Sequence, residues 1–160
     1  MQSRVLALCA LAPVFLTACQ TTGGSSSGYS AGARAAMAAS IAAEAPGDYY
    51  IGRRYYKQDY KFWGFVRSPR QPWSTAKLVM LNEQETLAPD RAQGKFGTDN
   101  NYEYKLIGSF TGQTVYEPAS NGFYPEFALK RYELLSLSPP NIYRQAGATD
   151  PARRIIANPQ

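Results

Sequence analysis

The sequence predicts a mainly β protein. We expect a small five-stranded antiparallel barrel-like domain, OB-like or SH3-like, with a flexible N-terminal tether and a disordered C-terminal tail. Three observations predict this fold class. Aromatic and other strand-favouring residues concentrate between Tyr49 and Leu135. Glycine, serine and alanine dominate the residues before this region, and prolines interrupt the residues after it.

Length and charge favour a single domain with a mixed surface. The chain has 160 residues, within the range of about 100–200 residues typical of one domain. Its 17 basic and 12 acidic residues give a net charge of +5. Residues 48–140 hold 12 of the basic and 10 of the acidic residues, so most of the excess lies outside the predicted domain. This even mixture argues against a nucleic-acid partner.

Histidine and cysteine usage excludes several kinds of chemistry. The chain has no histidine, which removes a serine–histidine triad and histidine-ligated metals. Its two cysteines are Cys9 and Cys19, and Cys9 lies inside an apolar run that we assign to a removable leader. A single remaining cysteine forms neither an intramolecular disulfide nor a zinc cluster. We therefore expect no metal and no cofactor.

The first residues are organised as a secretory signal peptide. Arg4 gives a short positive start, and residues 5–16 form an apolar run of 12 residues. That run is shorter than the roughly 20 residues that a membrane-spanning helix needs. A buried N-terminal helix is the alternative, but Pro13 would interrupt it. We predict that residues 1–18 are a cleaved signal peptide.

The apolar run ends in Leu16-Thr17-Ala18-Cys19. This stretch resembles the lipobox of bacterial lipoproteins, in which a branched apolar residue and two small residues precede a cysteine. The resemblance implies that Cys19 carries a thioether-linked diacylglycerol and begins the mature chain with an acylated amine. Two or three acyl chains anchor firmly where one anchors marginally. In the family, an aspartate directly after the cysteine often retains the protein in the inner membrane. Gln20 stands at that position here, so the resemblance implies that this protein is anchored at the periplasmic face of the outer membrane.

Residues 19–47 form the predicted lipid-anchored tether. Residues 20–32 are rich in glycine and serine and behave as a flexible coil with a reach on the order of 20 Å. The alanine-rich residues 33–45 favour a short helix that ends at Pro46-Gly47. That helix either docks on the domain or the membrane, or continues the spacer. We favour the spacer, because short helices rarely stand alone.

Residues 48–137 form the predicted β domain. Its strands are predicted at residues 60–67, 76–82, 102–110, 114–117 and 123–135. We expect a hairpin turn at residues 111–113 and another at residues 118–122, where Asn121-Gly122 tolerates positive φ. Pro125 marks an edge or a bulge in the last strand. Residues 138–160, which are proline-rich and lack periodicity, are predicted to be a disordered tail.

Carboxylates are the available acid–base groups. Glu83 and Glu85 would share one face of a strand, as the paired carboxylates of a histidine-free hydrolase would require. Asp99, Asn100 and Asn101 supply oxygen donors that suit calcium. We favour a simpler interpretation of both groups: the two glutamates are ordinary solvated residues, and the Asp/Asn run is a turn. Asp90 and Arg91 are predicted to form an ion pair within a loop. We expect that the protein is not an enzyme.

Aromatic and basic residues near the first predicted strand suggest a contact surface. Our candidate partner-binding residues are Trp63, Arg67, Arg70 and Trp73. Exposed tryptophans stack on sugars or bases, and arginines bind anionic groups. The alternative is that the tryptophans build the core of the domain. We predict a structural or protein-interaction module with an envelope protein as its partner, and the alternative function is glycan binding.

Overall fold

The computed structural model of the protein describes residues 31–160. The predictions for the signal peptide, Cys19 and the first part of the tether lie outside the described residues. The elements follow in chain order: α1 (Ala31–Ala42), β1 (Tyr50–Arg54), β2 (Gly64–Arg67), a 3₁₀ turn (Trp73–Thr75), β3 (Lys77–Asn82), α2 (Pro89–Ala92), β4 (Glu103–Glu117) and β5 (Gly122–Ser136).

The five strands close into a barrel in the order β1-β2-β3-β5-β4, with β1 paired to both β2 and β4. The predicted barrel-like fold is therefore confirmed. The prediction of a purely antiparallel sheet is wrong in one place, because β3 and β5 run parallel, with Leu81 opposite Phe127. A parallel pair needs a long crossover, which α2, β4 and their loops supply. Of the two predicted alternatives, this order is OB-like.

Two strand boundaries differ from the prediction. β1 was not predicted, and the strand predicted at residues 60–67 begins only at Gly64. Four of the five residues of β1 are buried, as are all four of β2. Strands that are buried on both faces lack the alternation of apolar and polar residues by which a strand is recognised in a sequence.

The strands predicted at residues 102–110 and 114–117 are one long strand, β4. The predicted hairpin turn at residues 111–113 is an irregularity within it. Thr114 lies four residues after Phe110, whereas their partners Pro125 and Phe127 are two residues apart. Gly112 has a φ of 83°, a left-handed conformation that glycine adopts readily. This irregularity lies opposite Pro125, for which the sequence predicts an edge or a bulge, and the predicted turn before Gly122 is present.

The apolar side chains form two clusters. The first fills the barrel and contains Trp63, Val66, Val79, Ala88, Tyr104, Leu106, Phe127 and Leu129. The second lies against β1 and β2 and contains Ile41, Ile51, Tyr55, Phe62, Phe65, Trp73, Ile142, Tyr143, Ala148 and Ala157. The second cluster joins α1 and the C-terminal residues to the barrel.

Residues 138–160 are not the disordered tail that the sequence predicts. The Tyr55 hydroxyl donates to the carbonyl of Ile155 at 2.9 Å, and the Lys57 ammonium donates to the carbonyl of Asp150 at 2.7 Å. Ile142 and Tyr143 are buried in the second cluster. A segment without regular structure is thus held because it covers apolar surface and accepts hydrogen bonds from buried donors.

The helix predicted in the tether is present as α1. The favoured interpretation, a helix that continues the spacer, is wrong for residues 31–42. Ile41 is buried in the second cluster, and Met37 packs against that cluster. The two side chains lie one helical turn apart, so one face of α1 docks on the barrel.

Candidate functional site

The structure does not bring the predicted contact residues to one exposed surface. Trp63 belongs to the cluster inside the barrel and Trp73 to the cluster outside it, and they are 4% and 2% exposed. Arg67 is 3% exposed, and Arg70 alone is exposed. The physical reason is that a small barrel needs large side chains inside and also on its outer surface once α1 and the C-terminal residues cover that surface.

Glu44, just after α1, binds both β2 and the loop that precedes Trp73. Its carboxylate accepts hydrogen bonds from both terminal nitrogens of Arg67, at 2.5 and 2.8 Å. The same carboxylate accepts the backbone N–H of Arg70 at 2.7 Å. Arg70 has a φ of 63°, which is uncommon for a residue with a side chain. Glu44 therefore fixes the loop that carries Arg70.

The Trp73 ring contacts two buried guanidinium groups. The guanidinium carbon of Arg67 is 4.5 Å from the ring centroid, and that of Arg53 is 5.1 Å from it. Arg53 pairs with Glu103 at 2.6 Å and donates to the carbonyl of Pro140 at 2.9 Å. A cation over an indole face is attracted by the ring quadrupole, and more strongly when water is excluded.

An open cavity of about 430 Å³ lies beside Trp73. It is bounded by α1, by the loop from Arg70 to Trp73 and by the C-terminal segment. We call it the α1 groove. Its apolar wall consists of Met37, Ala38, Ile41, Pro72, Trp73 and Ile142, and its polar lining includes Arg34, Arg70, Asn141, Arg144 and Gln160. A mostly apolar concave site with a few convergent polar groups has the usual composition of a ligand site.

A second group of buried charges surrounds Arg54, which follows Arg53 in β1 and points to the other face of the strand. Arg54 donates to Asp90 at 2.9 Å and to Asp99 at 3.3 Å, and the Tyr104 hydroxyl donates to Asp99 at 3.1 Å. Burial raises the pKa of Asp99, and the charge of Arg54 only partly opposes that rise. For Asp90 burial also acts to raise the pKa, but Arg54 and the N–H of Gly97 outweigh it and lower the pKa. The charge of Arg54 therefore stabilises the ionised form of Asp90 more than that of Asp99.

The carboxylates considered for catalysis have structural partners. Glu83 pairs with Arg91 at 2.8 Å and accepts the N–H of Ala88 at 2.8 Å, whereas Glu85 is exposed. The predicted ion pair between Asp90 and Arg91 is replaced by Asp90 with Arg54 and Arg91 with Glu83.

The oxygen donors considered for calcium are also engaged. Asp99 binds Arg54, and the Asn100 amide accepts the N–H of Tyr56 at 2.9 Å and donates to the carbonyl of Thr149 at 2.8 Å. Within residues 31–160, no group of three acidic, cysteine or histidine side chains is arranged to hold a metal ion.

The chain was compared with family models, curated proteins and solved structures, and none of them matches it. The part of the chain that the structure describes contains no helix long and apolar enough to cross a membrane. What the fold and the site define is a small OB-like barrel with a helix and a C-terminal segment packed on its outside, and an apolar groove between those two additions.

Proposed function

We propose that the chain is a bacterial lipoprotein that holds a small barrel domain at the periplasmic face of the outer membrane. In this proposal Cys19 carries the acyl chains, and the domain acts as a binding module rather than an enzyme. The lipobox and its leader support the anchoring, and the absence of histidine supports a role without acid–base chemistry.

The α1 groove is the contact site in this proposal. The observation that carries it is the apolar wall of the groove beside exposed arginines, on elements that the barrel itself does not need for closure. Two additions to a closed barrel, packed so that an open cavity stays between them, support a binding role for that cavity.

Glycan binding by the tryptophan patch is not part of this proposal. Stacking on a sugar requires an open aromatic face. The two tryptophans are 4% and 2% exposed, so neither offers such a face. The exposed aromatic side chains of the described residues include Phe96, Tyr116 and Phe123, and all three lie outside the α1 groove lining.

Anchoring is tested with the two cysteines of the chain. Cys19→Ser should abolish incorporation of labelled palmitate and shift the protein from the membrane fraction to the soluble fraction. Cys9→Ser, in the leader, is the matched control and should leave both properties unchanged. Continued labelling of the Cys19→Ser chain would contradict the lipoprotein assignment.

Binding in the groove is tested by crosslinking in living cells. A photoreactive benzoylphenylalanine replaces Ala38, which lines the groove, or Ala35, which is exposed on the same helix outside that lining. We expect an adduct from position 38 and none from position 35. Equal adducts at both positions, or none at position 38, would contradict the groove as the contact site.

A further inference from the structure

We propose that the α1 groove binds an anionic amphiphile that has one alkyl chain and a phosphate head group. This inference rests on the proposed function, because it names the ligand class of the same groove. It is carried by the juxtaposition of an apolar wall with two exposed guanidinium groups from separate segments of the chain.

The apolar wall suits an alkyl chain. Met37, Ala38 and Pro72 line the cavity with partly or fully exposed side chains, and the buried side chains Ile41, Trp73 and Ile142 lie beneath them. The exposed apolar groups present no strong hydrogen-bonding group that a chain of methylenes would leave unpaired. The volume of about 430 Å³ is within the range of about 300–1,000 Å³ typical of small-molecule sites.

The charges at the groove suit an anion. Arg70 and Arg144 are exposed and lie on different segments, and among the described residues the lining contains no aspartate or glutamate side chain. Two guanidinium groups that line one cavity suit the several oxygens of a phosphate.

Arg70 is held in place for such a contact. Its backbone N–H is bound by Glu44 at 2.7 Å, and its φ of 63° persists because that contact fixes the loop. Its guanidinium makes two long contacts with the carbonyl of Ala42, both at 3.4 Å. Since a guanidinium has five N–H donors, donors remain for an anion.

The groove also lies near the proposed membrane anchor. Only 11 residues separate Cys19 from Ala31, where α1 begins, and a stretch of that length spans at most about 40 Å. A lipid-anchored domain on such a segment meets the head groups and single-chain amphiphiles of the membrane surface. The acyl chains of Cys19 are a second possible occupant of the groove. They carry no charge, so their binding would not depend on Arg70 and Arg144, whereas binding of the proposed phosphate amphiphile would.

The test is photolabelling of the full-length protein in dodecyl maltoside micelles. The probe is dodecyl phosphate with a diazirine in its alkyl chain, and mass spectrometry locates the labelled residues. We expect labels at the accessible groove residues Met37, Ala38 or Pro72. Labelling should fall about tenfold or more in Arg70→Gln/Arg144→Gln, because two charge-assisted contacts are lost.

The matched control is Lys130→Gln/Arg131→Gln, which removes two exposed cations outside the groove lining and should label like the natural chain. A probe with a maltoside head that labels the groove as strongly as the phosphate would overturn the anion preference while leaving the groove a binding site. Absence of groove labelling by either probe would overturn the proposal, and the crosslink at position 38 would then decide the proposed function separately.

Discussion

The carboxylate of Glu44 and the guanidinium of Arg67 form a two-point ion pair, at 2.5 and 2.8 Å, that ties the end of α1 to β2. The Arg67 side chain is 1% exposed and that of Glu44 is 18% exposed. The pair explains why a short alanine-rich helix is docked on this barrel: its apolar contacts are few, and its charged end is bound at a buried partner.

Glu44→Gln should therefore destabilise the protein. The substitution keeps the shape of the side chain but leaves the Arg67 charge buried without its counterion. Loss of one partner of a buried pair costs about 3–5 kcal/mol, and the partial exposure of Glu44 favours the lower end. Urea unfolding at neutral pH measures the change. Asp59→Asn, which breaks an exposed pair with Arg154, is the control and should cost less than about 1 kcal/mol. Equal effects would contradict the role of Glu44.

Trp73→Ala should cost more than Trp73→Phe. The alanine variant removes the ring that contacts Arg53 and Arg67 and leaves a cavity, at a cost of about 3–5 kcal/mol. Phenylalanine keeps an aromatic face over which both cations can sit and retains most of the apolar contact. Thermal unfolding of the two variants gives the comparison. Two variants as stable as the natural chain would show that Trp73 is not part of the core.

Ile142→Ala should destabilise the barrel although it lies outside every strand. Ile142 is 2% exposed in the second cluster, and truncation of a buried isoleucine costs about 2–5 kcal/mol. Ile156→Ala is the control, because Ile156 is 42% exposed in the same segment. The free energies of unfolding of both variants are measured in urea. No loss in Ile142→Ala would mean that residues 138–160 do not cover the barrel.

Asp90→Asn should cost more than Asp99→Asn at neutral pH. The pKa of Asp90 is lowered in the fold, so its contribution is present above its ordinary value of 3.8 and is lost as the pH falls through the folded pKa. The pKa of Asp99 is raised, so its contribution is present below 3.8 and is lost as the pH rises through the folded pKa.

We expect a loss of about 3 kcal/mol or more for Asp90→Asn and clearly less for Asp99→Asn. The reason for the smaller loss is that an asparagine in place of Asp99 mimics the protonated acid and still accepts the Tyr104 hydrogen bond. Urea unfolding at pH 7 measures both variants. In a pH series upward from 3.8, the natural chain should lose the contribution of Asp99, and Asp99→Asn should not show that loss. The reverse order of the two losses would contradict the charge assignment.

The sequence predicts the barrel because β4 and β5 alternate or carry strand-favouring residues over long runs. It fails at β1, where Arg53 and Arg54 are buried with ion-pair partners that are distant in the chain. Two adjacent arginines in a short run give no sign of burial. Nothing local indicates that Glu103, Asp90 and Asp99 will neutralise them.

A search for motifs does not find the α1 groove, because the groove is lined by three separate segments whose sequences each resemble a linker or a loop. The signal that was available is Glu44, the only acidic residue between Gln20 and Gly47. A lone carboxylate in an alanine-rich segment suggests a specific partner. In the C-terminal segment, Ile142 and Tyr143 are adjacent apolar residues that could indicate burial. Prolines on both sides instead favour the prediction of a disordered tail.

The most direct measurement of the central claim uses the two tryptophans of the chain. Full-length protein labelled with ¹⁵N-tryptophan gives one indole N–H signal from Trp73, at the groove, and one from Trp63, inside the barrel. On titration with dodecyl phosphate in dodecyl maltoside micelles, the Trp73 signal should shift and saturate while the Trp63 signal stays in place. Two signals that remain unchanged, or that shift together, would contradict a ligand site in the α1 groove.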